Sequence, residues 1–128
     1  MVLLDTCALL WWTLERDKLS PAAAEACGAV PREGGVCSSI SVWEIGIKAK
    51  LGKLALPLPF AEYAARLRRI SGLEIVAVDD SIWVASLALE WANRDPADRV
   101  IVATAGRRQL PIVTKDRAIA DFYSPIVW

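Results

Sequence analysis

Histidine is absent from the sequence, and its absence excludes several kinds of enzyme. A Ser–His–Asp triad, a Cys–His pair and a histidine-ligated zinc site are impossible, as is nuclease chemistry that uses imidazole as acid and base. Net charge is lacking as well: 15 basic residues balance 15 acidic ones, which argues against a bulk electrostatic grip on nucleic acid but leaves room for a local basic rim. Hydrolytic chemistry must therefore rest on carboxylates, a metal ion or a lone nucleophile.

Cysteines are few and long apolar runs are missing. Cys7, Cys27 and Cys37 are widely spaced and contain no Cys-x-x-Cys motif, so we predict buried thiols in a reducing cytosol. No apolar stretch approaches the roughly 20 residues that a membrane span needs. Asp5 interrupts the first apolar run, and no basic segment precedes it, so we predict no signal peptide. We expect a cytoplasmic single domain, 1–128, without membrane association.

Apolar residues are abundant, at 55% of the chain, and six of them are tryptophans. This surplus allows a second apolar surface that a partner covers. Tryptophan can stack on nucleic-acid bases, but these residues lie within apolar helical patterns, which favours burial in a core or interface. Trp11 and Trp12 are adjacent and point to different faces of a helix, so we expect at least one of them to face a partner.

Short apolar runs alternate with helical patterns, which is typical of βαβ units and a parallel sheet. We predict strands at residues 2–4, 35–38, 74–78, 111–114 and 125–127, nearly all apolar, as strands buried on both faces are. We predict helices at residues 7–14, 41–51, 60–70, 80–93, 96–107 and 117–122, and another that Ser20-Pro21 begins. The glycine-rich segment from Gly28 to Gly35 is predicted to be a connecting loop.

Two acidic residues follow predicted strands directly. Asp5 comes after the strand at 2–4, and Asp116 lies two residues beyond the strand at 111–114. Ligands of open parallel sheets bind outside the carboxyl ends of the strands, so both residues occupy the expected edge. A carboxylate after a buried strand is costly without a partner, which favours a metal ion beside Asp5. The alternative for each residue is to cap the helix that follows it, and this alternative is weaker for Asp5 than for Asp116.

Two further acidic residues lie at predicted helix starts. Glu44 ends a Ser-x-x-Glu pattern that begins at Ser41, which is also the pattern of a capping box. Asp98 follows Asp95-Pro96, where Asp95 suits the N-cap and Asp98 is a favourable first-turn acid. Each residue alone therefore has an ordinary structural explanation. Four such acids at strand ends and helix starts, in a chain without histidine, together indicate one acidic site.

Four segments in order resemble the successive motifs of PIN-domain nucleases, and most closely those of VapC-type toxins from type II toxin–antitoxin modules. The resemblance runs from Val2 to the C-terminus. Its motifs are Leu3-Leu4-Asp5-Thr6, Ser41-Val42-Trp43-Glu44-Ile45 with Lys48, Asp95-Pro96-Ala97-Asp98-Arg99, and Val113-Thr114-Lys115-Asp116. Many relatives carry a histidine just before the Asp-Pro, where this chain has Asn93-Arg94, so we carry over no substrate preference.

The resemblance implies a three-layer α/β/α fold with a short parallel five-stranded sheet of order 3-2-1-4-5. It also implies a ribonuclease that uses Mg²⁺ or Mn²⁺ and leaves 3′-hydroxyl and 5′-phosphate ends. The expected partners are RNA, a cognate antitoxin that blocks the site, and a second copy in a homodimer. The residues that match the family's metal ligands are Asp5, Glu44, Asp98 and Asp116, and the supporting polar positions are Thr6 and Thr114.

Several basic residues flank these motifs and are candidates for positioning phosphates. Alternatively, these residues form a solvated surface, and Arg99 pairs with a nearby acidic residue. We favour the solvated surface for Lys50 and leave Lys48 and Arg99 open, with Arg99 as a further supporting residue. The flanking set is Lys48, Lys50, Lys53, Arg94, Arg99 and Lys115.

Three other functions fit the sequence less well. A haloacid-dehalogenase phosphatase also begins with a strand and an aspartate, but it needs a second aspartate where this chain has Cys7. A catalytically inactive PIN-like interaction module would not need all four acids. A nucleotide-binding domain is discarded, because neither Gly-x-Gly-x-x-Gly nor Gly-x-x-x-x-Gly-Lys occurs.

Overall fold

The computed structural model describes all 128 residues and contains one parallel sheet of five strands. The strands are β1 Val2–Leu4, β2 Gly35–Ser38, β3 Leu73–Val76, β4 Ile112–Val113 and β5 Ile126–Val127. Their order is β3-β2-β1-β4-β5, which matches the order that the family resemblance implies. Because β1 lies between β2 and β4, the carboxyl ends of the first and fourth strands meet.

Eight α-helices connect and cover the strands. They are α1 Thr6–Leu14, α2 Pro21–Gly28, α3 Val30–Glu33, α4 Ser39–Lys50, α5 Phe60–Leu67, α6 Asp80–Ala88, α7 Pro96–Arg108 and α8 Arg117–Phe122, with a 3₁₀ turn at Arg16–Lys18. None of these helices has the length and apolarity needed to cross a lipid bilayer.

Alternating strand residues divide the interior into two cores. Leu3, Val36 and Ile112 pack in one cluster with residues of α6 and α7. Their neighbours Leu4, Cys37 and Val113 pack in the other cluster with residues of α1, α2 and α5. Successive side chains of a strand point to opposite faces of the sheet, so helices cover both faces. The α/β/α arrangement predicted from the sequence is therefore confirmed.

Several predicted boundaries were wrong. The predicted loop at Gly28–Gly35 contains the short helix α3, because Pro31 lies in the first turn, where a missing N–H costs nothing. The strand predicted at 74–78 ends at Val76, because the N–H of Val78 donates to the hydroxyl of Ser39 instead. The prolines of the last two predicted strands lie outside β4 and β5.

The fourth helix begins earlier than predicted, which removes the capping box. Its N-cap is Ser38, whose hydroxyl accepts the N–H of Ile40 at 3.2 Å. Ser41 is therefore inside the helix and fully buried, and Glu44 lies beyond its first turn. The ordinary structural explanation for Glu44 was wrong.

The sixth helix ends at Ala88, five residues before the predicted end at Asn93, because Arg99 binds the chain that follows it. The guanidinium donates to four backbone carbonyls, those of Ser86, Leu89, Trp91 and Asn93, at 2.7–2.9 Å. Its donors are thus committed to the backbone. Arg99 supports the segment before α7 and neither pairs with an acid nor faces a phosphate site.

Replacing Arg99 by methionine should lower the free energy of unfolding by about 3 kcal/mol, because charge-assisted bonds to partly buried carbonyls are lost together. Lysine should rescue little of this loss, because an ammonium cannot reproduce the planar fork. Chemical denaturation measures both variants. Arg94 is exposed, and Arg94→Met is the control, which should change the free energy of unfolding by less than about 0.5 kcal/mol. Wild-type stability for Arg99→Met would contradict the role given to this side chain.

Candidate active site

Thr114 joins the ends of the two central strands. Its buried hydroxyl donates to the Asp5 carboxylate and accepts the backbone N–H of Asp116 at 2.9 Å. The N–H of Asp5 in turn donates to the carbonyl of Val113 at 3.2 Å. Asp5 and Asp116, predicted to meet at this edge, are thus held through one side chain.

Asp5 is nearly buried, with 6% of its surface exposed. One carboxylate oxygen accepts the N–H of Ala8 at 2.8 Å, so Asp5 is also the N-cap of α1. Burial raises its pKa to about 6, the hydrogen bonds from Thr114 and Ala8 oppose the rise, and the charge of Asp116 adds to it. Capping and a metal-binding role are therefore compatible in this residue.

Glu44 reaches the site from α4, whose position depends on Thr6. The Thr6 hydroxyl donates to the hydroxyl of Ser41 at 2.9 Å, and both side chains are buried. This bond joins α1 to α4 one turn before Glu44. Lys48, one turn further on, has its ammonium 3.9 Å from the Glu44 carboxylate.

The first turn of α7 provides the remaining predicted ligand, Asp98. Asp95 is the N-cap and accepts the N–H of Ala97 at 2.9 Å, as predicted. Burial raises the pKa of Asp98 to about 6, whereas a 2.9 Å hydrogen bond from the amide of Asn93 lowers it. Asn93 also accepts the N–H of Asp95 at 2.9 Å. Sequence reasoning noted Asn93 only as a departure from the family and missed that it orients Asp98.

These elements converge on one pocket of about 440 Å³. All four predicted ligands line it, together with Thr6, Asp95 and Ile101. Four further lining residues are Cys7, Trp11, Lys48 and Lys115. Sequence reasoning did not place Cys7 or Trp11 here. Cys7 and Trp11 are four residues apart, so they share one face of the helix that follows Asp5.

Cys7 is exposed to solvent, so the prediction that all three thiols are buried was wrong for this residue. The prediction is confirmed for the other two cysteines, where burial raises the pKa to about 11 for Cys27 and about 12 for Cys37. Desolvation and the charge of Asp5 raise the pKa of Cys7 as well. Because reactive thiols need a lowered pKa, a lone cysteine nucleophile is disfavoured.

The donor set of the pocket fits a hard divalent cation. Its carboxylate and hydroxyl oxygens are the ligands that Mg²⁺ and Mn²⁺ prefer. No three acidic side chains are arranged to hold an ion as they stand. Burial is the main cause of the raised pKa of Asp5 and Asp98, and the charges of neighbouring acids add to the rise.

The fold and this pocket define a small α/β/α domain with an acidic site at the carboxyl edge of its sheet. The family described as "PIN domain" matches residues 2–124. The ribonuclease VapC22 of Mycobacterium tuberculosis is 30% identical over 125 residues, covering 97% of this chain and 93% of the relative. The chain therefore belongs to the PIN-domain family.

Two solved structures share the fold. A toxin–antitoxin complex from Klebsiella pneumoniae has a TM-score of 0.60 at 24% identity, covering 91% of this chain and 87% of that one. The FitAcB structure from Neisseria gonorrhoeae has a TM-score of 0.64 at 21% identity, covering 93% and 90%. At these identities the similarity supports the three-layer fold.

Stability without metal should depend on pH in a direction set by Asp5 and Asp98. Their folded pKa of about 6 exceeds the ordinary value of 3.8, so the folded state binds protons more tightly than the unfolded state. Their stabilising contribution is full below pH 3.8 and is lost as pH rises through 6. With EDTA present, the free energy of unfolding should fall by on the order of 2 kcal/mol between pH 5 and pH 7.

The matched comparison is Asp5→Asn, which removes one of the two titrating groups and should flatten this dependence. Denaturation series at several pH values measure both proteins. A metal-free wild type whose stability rises over this range would show that the carboxylates are not desolvated as described.

Proposed function

We propose that the protein is a ribonuclease that depends on Mg²⁺ or Mn²⁺ and acts as the toxin of a toxin–antitoxin pair. One observation carries the proposal: Asp5, Glu44, Asp98 and Asp116, which come from four separate motifs, line a single pocket. Membership of the PIN-domain family and the similarity to a ribonuclease over nearly the whole chain support the same activity.

In this proposal the four carboxylates hold the ion. A bound divalent ion lowers the pKa of a water and offsets negative charge on the phosphate, which makes phosphodiester hydrolysis feasible without histidine. Thr114 and the N–H of Ala8 fix the carboxylate of Asp5 through both its oxygens. Asn93 orients Asp98, and Thr6 positions α4 and with it Glu44. We expect 3′-hydroxyl and 5′-phosphate ends, as in the family.

Lys48 and Lys115 are the basic side chains that line the pocket and are our candidates for contacting RNA phosphates. Lys50 is exposed and absent from the pocket lining, in keeping with a solvated surface. An RNA strand would thus meet two cations at the rim of an otherwise acidic site.

The partners of this toxin would be a cognate antitoxin and a second copy, in the cytoplasm. Exposed apolar side chains on α4 and α6 offer a surface for a protein partner: Trp43 is 62% exposed, Val84 68% and Leu87 78%. Patches of this kind are common at protein interfaces. The Klebsiella structure is itself a toxin–antitoxin complex.

Cleavage of transfer and ribosomal RNA, with and without Mn²⁺, tests the activity, and Asp5→Asn tests the site. Asparagine keeps the shape and the helix cap but removes one charge from a repulsive cluster. Without metal the variant should be at least as stable as wild type. Its RNA cleavage should be lost, and Mn²⁺ should no longer raise its melting temperature as it does for wild type.

The control is Asp121→Asn, an exposed acid on α8 that pairs only with Arg117 and should leave cleavage unchanged. Wild-type cleavage by Asp5→Asn would refute the proposed site. A metal-insensitive wild type that cleaves no RNA would instead favour an inactive PIN-like interaction module.

The two acids at the start of α7 should have separable roles. Asp95→Ala removes the N-cap and should lower the free energy of unfolding by about 1 kcal/mol while most RNA cleavage remains. Asp98→Asn should do the reverse, with stability retained and cleavage lost. Thermal melting and initial cleavage rates measure the pair. Inactivity of a fully stable Asp95→Ala protein would mean that the two assignments are exchanged.

A further inference from the structure

Trp11 forms part of the wall of the acidic pocket. It lies four residues after Cys7 on α1, so both side chains are on the helix face that borders the pocket. Its neighbour Trp12 points the other way and is buried in the core, with 7% of its surface exposed. Trp11 itself is only partly buried. An aromatic ring is therefore accessible within the same pocket as the four carboxylates.

The ring of Trp11 is braced from one side. The ring of Trp128 packs against it with centroids 5.7 Å apart and planes inclined by 55°. This tilted contact, typical of aromatic pairs, fixes the orientation of Trp11 without covering it as a parallel stack would. A braced ring loses little conformational entropy when a planar ligand stacks on it.

A cation accompanies this ring. The ammonium of Lys115 lies 6.0 Å from the centroid of the Trp11 ring, at the outer limit of a cation–π contact. Lys115 is exposed and forms no salt bridge, so its long side chain is free to contact a phosphate. Aromatic rings beside basic side chains are the usual elements of sites that bind single-stranded nucleic acid.

Electrostatics alone would hold RNA poorly in this pocket. Five acidic residues line it, the four predicted ligands and Asp95, against only two lysines. The net charge of the whole chain is zero, so the chain as a whole adds no net attraction for RNA. A bound divalent ion offsets only part of the acidic charge. We therefore expect contacts to the bases of the strand to supply part of its binding energy, besides the contacts to its phosphates.

We propose that Trp11 stacks on an unpaired nucleobase next to the cleaved phosphate, with Lys115 on a neighbouring phosphate. This inference rests on the proposed ribonuclease activity. A base can lie on an aromatic ring only when it is unstacked, which loops and single strands allow and an A-form duplex does not. Because every base has a π-face, Trp11 selects strand form and not sequence.

The test compares Trp11→Leu with wild type in the presence of Mn²⁺. Leucine keeps apolar contact with Trp128 but cannot stack. The probe is a short fluorescein-labelled single-stranded RNA of randomised sequence, and its annealed duplex is the strand-form control. Wild type should cleave the single strand and spare the duplex. The KM of Trp11→Leu should rise about tenfold or more while kcat changes little, because one base stack is lost.

A base-free ribose-phosphate chain of the same length provides a readout that a purely structural role would not move. As a competitive inhibitor, the base-free chain should bind wild type and Trp11→Leu with equal affinity. Single-stranded RNA should bind wild type at least about tenfold more tightly than it binds Trp11→Leu. Trp11→Phe should restore most of the difference. The matched control is Phe122→Leu, an exposed aromatic residue outside this pocket, which should leave KM unchanged.

Each outcome decides the question. Unchanged KM in Trp11→Leu, or equal loss of affinity for RNA and for the base-free chain, overturns the stacking role while the ribonuclease assignment stands. Equal cleavage of duplex and single strand overturns the selection of strand form by Trp11, because a paired base cannot lie on its ring. A wild-type protein that cleaves neither probe nor cellular RNA overturns the proposed function and this inference together. If Trp11→Leu melts well below wild type, Trp11→Met is compared with wild type against both inhibitors: loss of the preference for RNA supports stacking, and an unchanged preference overturns it.

Discussion

The hydrogen bonds of one threonine hydroxyl hold the centre of the acidic site together. Thr114 donates to Asp5 and accepts from the backbone of Asp116, so two carboxylates that repel each other are tied across the β1–β4 boundary. Parallel pairing brings these strand ends side by side, and the hydroxyl then links the carboxylate of Asp5 to the backbone of Asp116. Removing this link would leave a buried carboxylate without its strongest neutral partner, which is costly in a desolvated setting.

The other half of the site depends on a chain of polar contacts behind α7. Arg99 binds four carbonyls and thereby ends α6 and shapes the following segment. That segment contains Asn93, whose side-chain amide donates to Asp98. The side-chain Oδ1 of Asn93 accepts the N–H of Asp95. Arg99, a basic residue within an acidic motif, thus acts through the backbone and does not line the pocket.

Sequence reasoning recovered the features that local patterns encode and missed those that distant side chains decide. Strand β1 and helix α8 have their predicted bounds, because a short apolar run and an Asp cap are local signals. The end of α6 was missed because it depends on Arg99, whose bond to Ser86 spans 13 residues. The position of Trp11 was missed because α1 is apolar on every side, and its sequence therefore cannot show which face borders the pocket. The start of α4 was missed because Ser38, Ser39 and Ser41 all suit an N-cap.

The sheet is unequal on its two sides, and this affects local stability. Beyond the buried strand β4, β5 has two residues and is only partly buried, and α8 buries a single side chain, Ile119. Small, poorly buried units open at a lower free energy than the domain as a whole. Asp116 belongs to this flank, whereas Asp5 follows the central strand. We therefore expect the segment that carries Asp116 to open at a lower free energy than the central strand that carries Asp5.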